Sequence, residues 1–391
     1  MLKIANLIID EKFIDDVISF HDIINYNCIH DYIIVSKYPI KHFKYIKNAQ
    51  RVIVVKPNQF LLFLEKNSYN IIFLHSLNVL SYKNIANISA KIKVCWFAWG
   101  YDIYYNSLGA PIIPLMLLHT ETRKILDQNH TKDFSFFRKT ICSFIKNNIR
   151  KIIDKQALPT YSDWVKAVGR VDFFSGVLPV EFELANRNNF FHAKQIRYVY
   201  TDCCMAEKIS DVNCFSNNII IGNSGDPGNN HLDIIPFLCK LKFDNRSLYL
   251  PISYGGTNYY RNFVKKVYKN TFGNNVQVLD DFMSFEDYNH IVRSCNVGIF
   301  YHERQQALGN ICMLVNFGAK VFLSETSVIF SYFKSIGIKI YSIQHELTQA
   351  EIDIPLSDKI ILNNRKKLFV LYNKDSLIRN MVQIYESLNN K

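Results

Sequence analysis

Short apolar runs recur along this chain with polar, helix-length stretches between them, and the pattern starts twice. "DYIIVSK" (31–37), "RVIVVK" (51–56), "NIIFLHS" (70–76) and "KVCWFAWG" (93–100) fall in the first hundred residues. Each is short and rich in β-branched or aromatic residues, as strands covered on both faces of a parallel sheet must be. The segments between them are long enough for crossover helices, which parallel neighbours need. Strands are predicted again at 218–222, 247–252, 276–280, 296–301, 320–323 and 338–342. Helices are predicted at about 230–241, 257–270, 284–294, 307–317 and 327–336, with a terminal helix over 375–388. Such alternation confines the chain to α/β folds, and its restart predicts two Rossmann-like domains. A length of 391 residues agrees, at roughly 100–200 residues per domain. The expected domains are 1–210 and 211–391, meeting in the aperiodic stretch 201–217.

Residues 104–160 interrupt the rhythm. "PIIPLMLL" (111–118) is apolar but carries Pro111 and Pro114. Further on, Ile141, Phe144, Ile145, Ile149, Ile152 and Ile153 follow helical spacing, with Lys139, Lys146, Arg150, Lys151 and Lys155 between them. The region 111–155 therefore contains a basic amphipathic helix. It is either an ordinary surface helix or one lying on an anionic membrane surface, with Phe134, Phe136 and Phe137 as interfacial anchors.

The formal charge of +12 suits a nucleic acid, an anionic membrane or a phosphorylated substrate. No nucleic-acid-binding signature accompanies it, so nucleic acid is not the expected partner. The nine cysteines are odd in number and contain no C-x-x-C pair, so neither a disulfide framework nor a zinc site is expected. The opening "MLKIANLIIDEKF" is broken by Asn6 and ended by Asp10, too short and polar for a signal peptide. No window reaches the ~18 apolar residues of a spanning helix. The expectation is a cytoplasmic protein.

Two loops carry the chemistry. "GNSGD" (222–226) follows the strand "NIII", and Gly222, Asn223, Ser224, Gly225 and Asp226 offer a donor-rich turn there. It matches neither G-x-G-x-x-G nor the P-loop, and alone it reads as a tight turn. "YHERQQALGN" (301–310) follows the strand "NVGIF" and opens an apolar helix. Ligands of open parallel sheets sit at such strand ends, and a helix N-terminus attracts phosphate. Tyr301, Arg304, Gln305, Gln306, Gly309 and Asn310 would line it, with Arg304 offering a planar, permanently charged fork to a diphosphate. Together the loops predict a diphosphate clamp. Ser284 is expected to cap the preceding helix, with Asp287 at its third position.

"GNSGD", "RQQALGNICMLVNFGAKVFL" (304–323) and "WGYDIYY" (99–105) occur in the order seen in one family. On them the chain resembles the TDP-N-acetylfucosamine:lipid II N-acetylfucosaminyltransferases, also called 4-α-L-fucosyltransferases or glycosyltransferase family 56. The likeness runs from about residue 30 to 345. It implies a GT-B fold, two Rossmann-like domains facing a central cleft, with acceptor bound by the first and donor by the second. It implies metal-independent transfer, without a cofactor, of an N-acetylfucosamine-like or fucose-like sugar from a TDP-sugar donor. The implied acceptor is a polyprenyl-diphosphate-linked oligosaccharide at the cytoplasmic face of the bacterial inner membrane, where the protein would be peripheral. The implied pathway is enterobacterial common antigen or a related surface polysaccharide. Two departures stand out. The family's "RQQG" has Ala307 then Leu308 here, and 104–160 is longer and more hydrophobic.

In the transfer, negative charge grows on the departing diphosphate, and prearranged donors stabilise it. Arg304 and the helix N-terminus would do so. If configuration inverts, a base must take the acceptor hydroxyl's proton. His75 and Asp102, each after a first-domain strand, are the candidates, with Glu181 behind them. Trp99 and Tyr101 beside Asp102 can stack on a sugar face. The competing readings are a nucleic-acid-binding protein and a catalytically inactive sugar-nucleotide-binding relative.

Overall fold

The computed structural model describes residues 1–11, 13–77, 81–105, 111–132, 159–199 and 214–389. They form two compact units. The described residues of Met1–Pro114, Leu158–Asp202 and Lys374–Lys391 make the first, those of Leu115–Ala157 and Cys203–Asn373 the second. The amphipathic segment over 134–155 and the expected boundary at 210/211 lie outside the described residues.

The first unit is built on seven parallel strands: β1 (Leu2–Leu7), β2 (Cys28–Val35), β3 (Val52–Val55), β4 (Ile71–His75), β5 (Lys93–Phe97), β6 (Phe173–Ser175) and β7 (Lys194–Gln195). Their order is β3-β2-β1-β4-β5-β6-β7. The four expected strands are present, and the pattern missed β6, β7 and β1, the last of which sits between β2 and β4. Its polar interruption, Asn6, is fully buried and fully used. The Asn6 amide nitrogen meets His30 Nδ1 at 3.0 Å and donates to the Asp31 carbonyl, while its oxygen meets His75 Nε2 at 3.1 Å. A buried amide is tolerated when its partners are supplied, which a hydropathy pattern does not show.

The terminal helix Lys374–Asn389 was expected with residues 211–391, but it belongs to the first unit. Leu377, Met381, Ile384, Tyr385 and Leu388 form its buried stripe at helical spacing and join a core with Leu2, Ile4, Phe73 and Phe97. At the centre of this unit His21 and His30 stack with ring centroids 4.2 Å apart, His75 lies 6.0 Å from His21, and Tyr385 Oη reaches His30 Nε2 at 2.9 Å.

The second unit has six parallel strands: β8 (Asn218–Ile221), β9 (Leu248–Pro251), β10 (Val276–Leu279), β11 (Cys295–Phe300), β12 (Lys320–Leu323) and β13 (Tyr341–Ser342). All six were expected. Their order is β10-β9-β8-β11-β12-β13. Ser284 caps the helix Phe285–Arg293 by accepting from the Asp287 N–H, and its hydroxyl donates to the Asp287 carboxylate. The helix expected over 230–241 is shorter. Asn230 adopts a left-handed φ of 51°, which ends a single 3₁₀ turn at Pro227–Asn229 and delays the helix to Ile235–Leu238. The helix Asp358–Tyr372 was not foreseen, because only Asn364, Leu368 and Tyr372 of it are buried and "NNRKK" obscures the period. The segment Thr120–Lys132 is helical and belongs to this unit, where Ile125 and Leu126 pack on its core.

Candidate functional site

The strand order reverses within the second sheet between β8 and β11. From β8 the strands run outward to β9 and β10 on one side, and β11 to β13 fill the other. Such a switch point leaves a crevice at the carboxyl ends of its two strands, where ligands of open α/β sheets bind. The two chemistry-bearing loops follow these two strands.

The loops meet. Gln306 Nε2 donates to Asn223 Oδ1 at 3.0 Å, and Arg304 Nη2 lies 3.9 Å from Asp226 Oδ1. Arg304 Nη1 also donates to the Gln305 carbonyl. Gln305, Gln306 and Tyr301 are buried, and the Arg304 side chain is 15% exposed. Gly222 carries a φ of +66°, and an added Cβ would come within 3.1 Å of both Asn229 Oδ1 and His231 Nε2. Ser224 is held by Asn229 Nδ2, which bonds both its carbonyl and its hydroxyl. Gly225 donates from its N–H to the Tyr254 carbonyl. Asp226 caps the 3₁₀ turn through the Gly228 N–H.

Asn310 Nδ2 donates to Tyr288 Oη at 2.8 Å, and a Cβ at Gly309 would meet nothing within 4 Å. The helix Leu308–Asn316 has no side-chain cap, so its first-turn N–H groups keep the positive end of the helix dipole open to an anion.

Polar atoms buried in this neighbourhood without a hydrogen-bond partner include Asn229 Oδ1, His231 Nε2, both ring nitrogens of His302 and Gln306 Oε1. Burial lowers the pKa of His231 to about 4, so its ring is neutral at pH 7. His302 is likewise brought to about 4, by burial first and by the Arg304 charge second.

Ala307 precedes the helix with a left-handed φ of 58°. That conformation costs an L-residue about 1–2 kcal/mol, which glycine avoids. The resembling family has glycine there, so the departure carries a strain. Ala307→Gly is expected to raise stability by about 0.5–1 kcal/mol, after the entropy that glycine adds to the unfolded chain. Urea midpoints of the two proteins check it.

Sequence reasoning overlooked three contributors. The first is "SYGGTN" after β9, where a Cβ at Gly256 would lie 2.2 Å from the Gly225 carbonyl oxygen, so the two loops touch backbone to backbone. A glycine pair after a predicted strand was the available signal. The second is Arg261, whose side chain packs against Gly225 and donates to the Ser253 carbonyl. The third is His119, in the segment that had broken the α/β rhythm. Its Nε2 bonds Glu303 Oε1 at 2.7 Å, and its ring lies 4.5 Å from that of Tyr301.

The first-unit candidates sit differently from expectation. His75 is the last residue of β4 and is 1% exposed, packed against Phe97 and Tyr198. Burial holds its pKa down to about 3. Asp102 is 6% exposed, and its carboxylate accepts from the Leu77 N–H, Trp96 Nε1 and the Trp99 N–H at 2.7–2.9 Å. It ties together the loops after β4 and β5. Burial raises its pKa despite those bonds. Glu181 is enclosed as well, accepting from Tyr104 Oη and the Leu178 N–H, and burial raises its pKa to about 7. All three side chains are enclosed and bonded within the first unit, which fits structural anchors better than a base that must reach an acceptor hydroxyl. Tyr101, 40% exposed, keeps an open ring while its hydroxyl donates to Ser76.

Among the described residues, no helix is long and apolar enough to cross a membrane. Several solved structures share the fold over nearly the whole chain. Sucrose-phosphate synthase from Thermosynechococcus elongatus matches with a TM-score of 0.60 at 10% identity, covering 99% of each chain. The lipopolysaccharide outer core galactosyltransferase WaaB, in its apo form, gives the same score, identity and coverage. An alpha-glucosyltransferase in complex with UDP matches with a TM-score of 0.53 at 10% identity, covering 99% of this chain and 100% of its own. These likenesses establish a GT-B fold of two Rossmann-like domains. The sequence profile described as "4-alpha-L-fucosyltransferase glycosyl transferase group 56" matches residues 176–376, just over half the chain and all six strands of the second unit's sheet. The protein that carries these loops on this fold is a glycosyltransferase, and it belongs to the 4-alpha-L-fucosyltransferase family, glycosyl transferase group 56.

Proposed function

We propose that the protein transfers a fucose-like deoxy-amino sugar from a TDP-sugar to a polyprenyl-diphosphate-linked glycan, at the cytoplasmic membrane surface, in the making of a bacterial surface polysaccharide. The observation that carries the donor half is the meeting of the β8 and β11 loops at the switch point, joined by Gln306 and Asn223 with Arg304 beside them. A diphosphate is the ligand such a place suits: a bidentate cation, an uncapped helix N-terminus and close-approaching glycine backbone. The UDP held by the alpha-glucosyltransferase of the same fold supports a nucleoside diphosphate here. Family membership supports the sugar class. The lipid-linked acceptor and the membrane surface rest on the sequence resemblance and on the +12 charge.

A ligand that binds only the folded state raises its stability by mass action, about 2.7 kcal/mol at a hundred times Kd. TDP is expected to raise the melting temperature by several degrees and GDP by much less. Equal shifts with TDP, UDP and GDP would remove the thymidine assignment, and no shift with any of them would remove the donor site.

A further inference from the structure

We infer that His119, oriented by Glu303, is the general base that deprotonates the acceptor hydroxyl. This rests on the donor reading above. The three first-unit carboxylate and imidazole candidates are enclosed and bonded, whereas His119 is about a quarter exposed.

The pair is built from several sides. His119 stands just before the helix Thr120–Lys132, whose Glu121 and Thr122 N–H groups both donate to Asp233. The His119 N–H donates to Asn230 Oδ1, and Asn230 in turn donates to the Leu117 and Tyr301 carbonyls. The imidazole rests beside Tyr301, and Glu303 stands immediately before Arg304. Glu303 is 7% exposed and accepts from Ser324 Oγ at 2.8 Å as well as from His119. Burial would raise its pKa, but hydrogen bonds from His119, Thr326 and Ser324 outweigh burial and leave it lowered. Glu303 is therefore ionised and can only accept. That fixes the tautomer of neutral His119: the proton is on Nε2, and Nδ1 presents a lone pair. Among the described residues nothing bonds Nδ1.

The chemistry follows. As the acceptor oxygen attacks the anomeric carbon, its proton passes to Nδ1 of His119. The bond between the anomeric carbon and the diphosphate oxygen breaks, and its electron pair leaves on the nucleoside diphosphate beside Arg304. Attack opposite the leaving group inverts configuration. Glu303 keeps its charge and stabilises the imidazolium, so it is a positioning residue, while His119 is the catalytic one.

The test uses the whole chain, with TDP as the binding probe and TDP-N-acetylfucosamine plus a polyprenyl-diphosphate-linked glycan for turnover. His119→Gln keeps a donor toward Glu303 but has no basic lone pair. It is expected to lower kcat by ~10²–10⁴-fold, with TDP binding and donor KM within threefold of the parent. Glu303→Gln should lower kcat less and move the acid limb of its pH profile to lower pH, because a neutral partner supports the imidazolium less. His119→Ala is the second replacement, should the glutamine variant fold poorly. Turnover of His119→Gln within threefold of the parent, or survival of the acid limb in it, would overturn the base. So would loss of TDP binding in that variant, which would mark a donor-binding role. A parent protein that neither binds TDP nor transfers sugar would overturn the donor reading and the base with it.

Discussion

Arg304→Ala is expected to lower sugar transfer by ~10²–10³-fold or more, the cost of removing one preorganised donor from a developing anion. The melting temperature should move by no more than a few degrees. Both expectations come from the same geometry. Arg304 spends one nitrogen on the neighbouring Gln305 carbonyl and holds the other 3.9 Å from Asp226, too long for a close ion pair. A contact at that distance contributes little to stability. The guanidinium is thus held beside the loop after β8. Arg304→Lys keeps the charge but loses the fork, and it should recover only part of the rate. Normal turnover by the alanine variant with a TDP-sugar would sink the clamp.

The second large effect concerns acid. Five buried histidines have pKa values pushed down by burial: His30, His231 and His302 to about 4, His75 to about 3, and His21 well below its usual value. A histidine whose folded pKa is depressed binds fewer protons folded than unfolded. Its contribution is fully present above the unfolded value near 6.5 and is lost as pH falls toward the folded value. Each loses about 1.4 kcal/mol per pH unit within that window. Glu181, raised to about 7, runs the other way, because the folded state takes its proton first. The net is roughly four protons. By pH 5.5 the loss is roughly 5 kcal/mol, a large share of the ~5–15 kcal/mol that a folded domain possesses. Urea midpoints at pH 7.5, 6.5 and 5.5 should therefore fall steeply. A stability flat across that range would contradict the burial of these rings as neutral groups.

The sheet architecture was legible because its strands are short, β-branched and buried on both faces, so periodicity alone found all six strands of the second sheet. The strand β1 was hidden by Asn6, whose polarity is cancelled by three partners that come from β2 and β4. No local window contains them. The donor loops were legible from position: a glycine-rich turn and an arginine-bearing turn, each after a strand. What made them one site was the strand order, which a pattern of strands does not disclose. His119 was passed over for a related reason. Its partner Glu303 lies 184 positions away in sequence, and His119 stands in the segment that breaks the α/β rhythm, where the basic amphipathic pattern over 134–155 drew the reading instead. Asp102 shows the opposite error. A carboxylate after a strand looked available, yet the Trp96 indole and the backbone N–H groups of Leu77 and Trp99 had already claimed it.

The helix Lys374–Asn389 sets an order on biosynthesis. It completes the core of the first unit, yet it follows every strand of the second. At roughly 5–20 residues per second, residues 203–373 take on the order of ten seconds or more to synthesise. During that time the first sheet waits with one apolar flank uncovered, Leu2, Ile4, Phe73 and Phe97 among its residues. The second unit has its strands in hand by then and can close first. On the ribosome, the half that begins the chain is the last to be finished, and its open flank is where a chaperone would be needed.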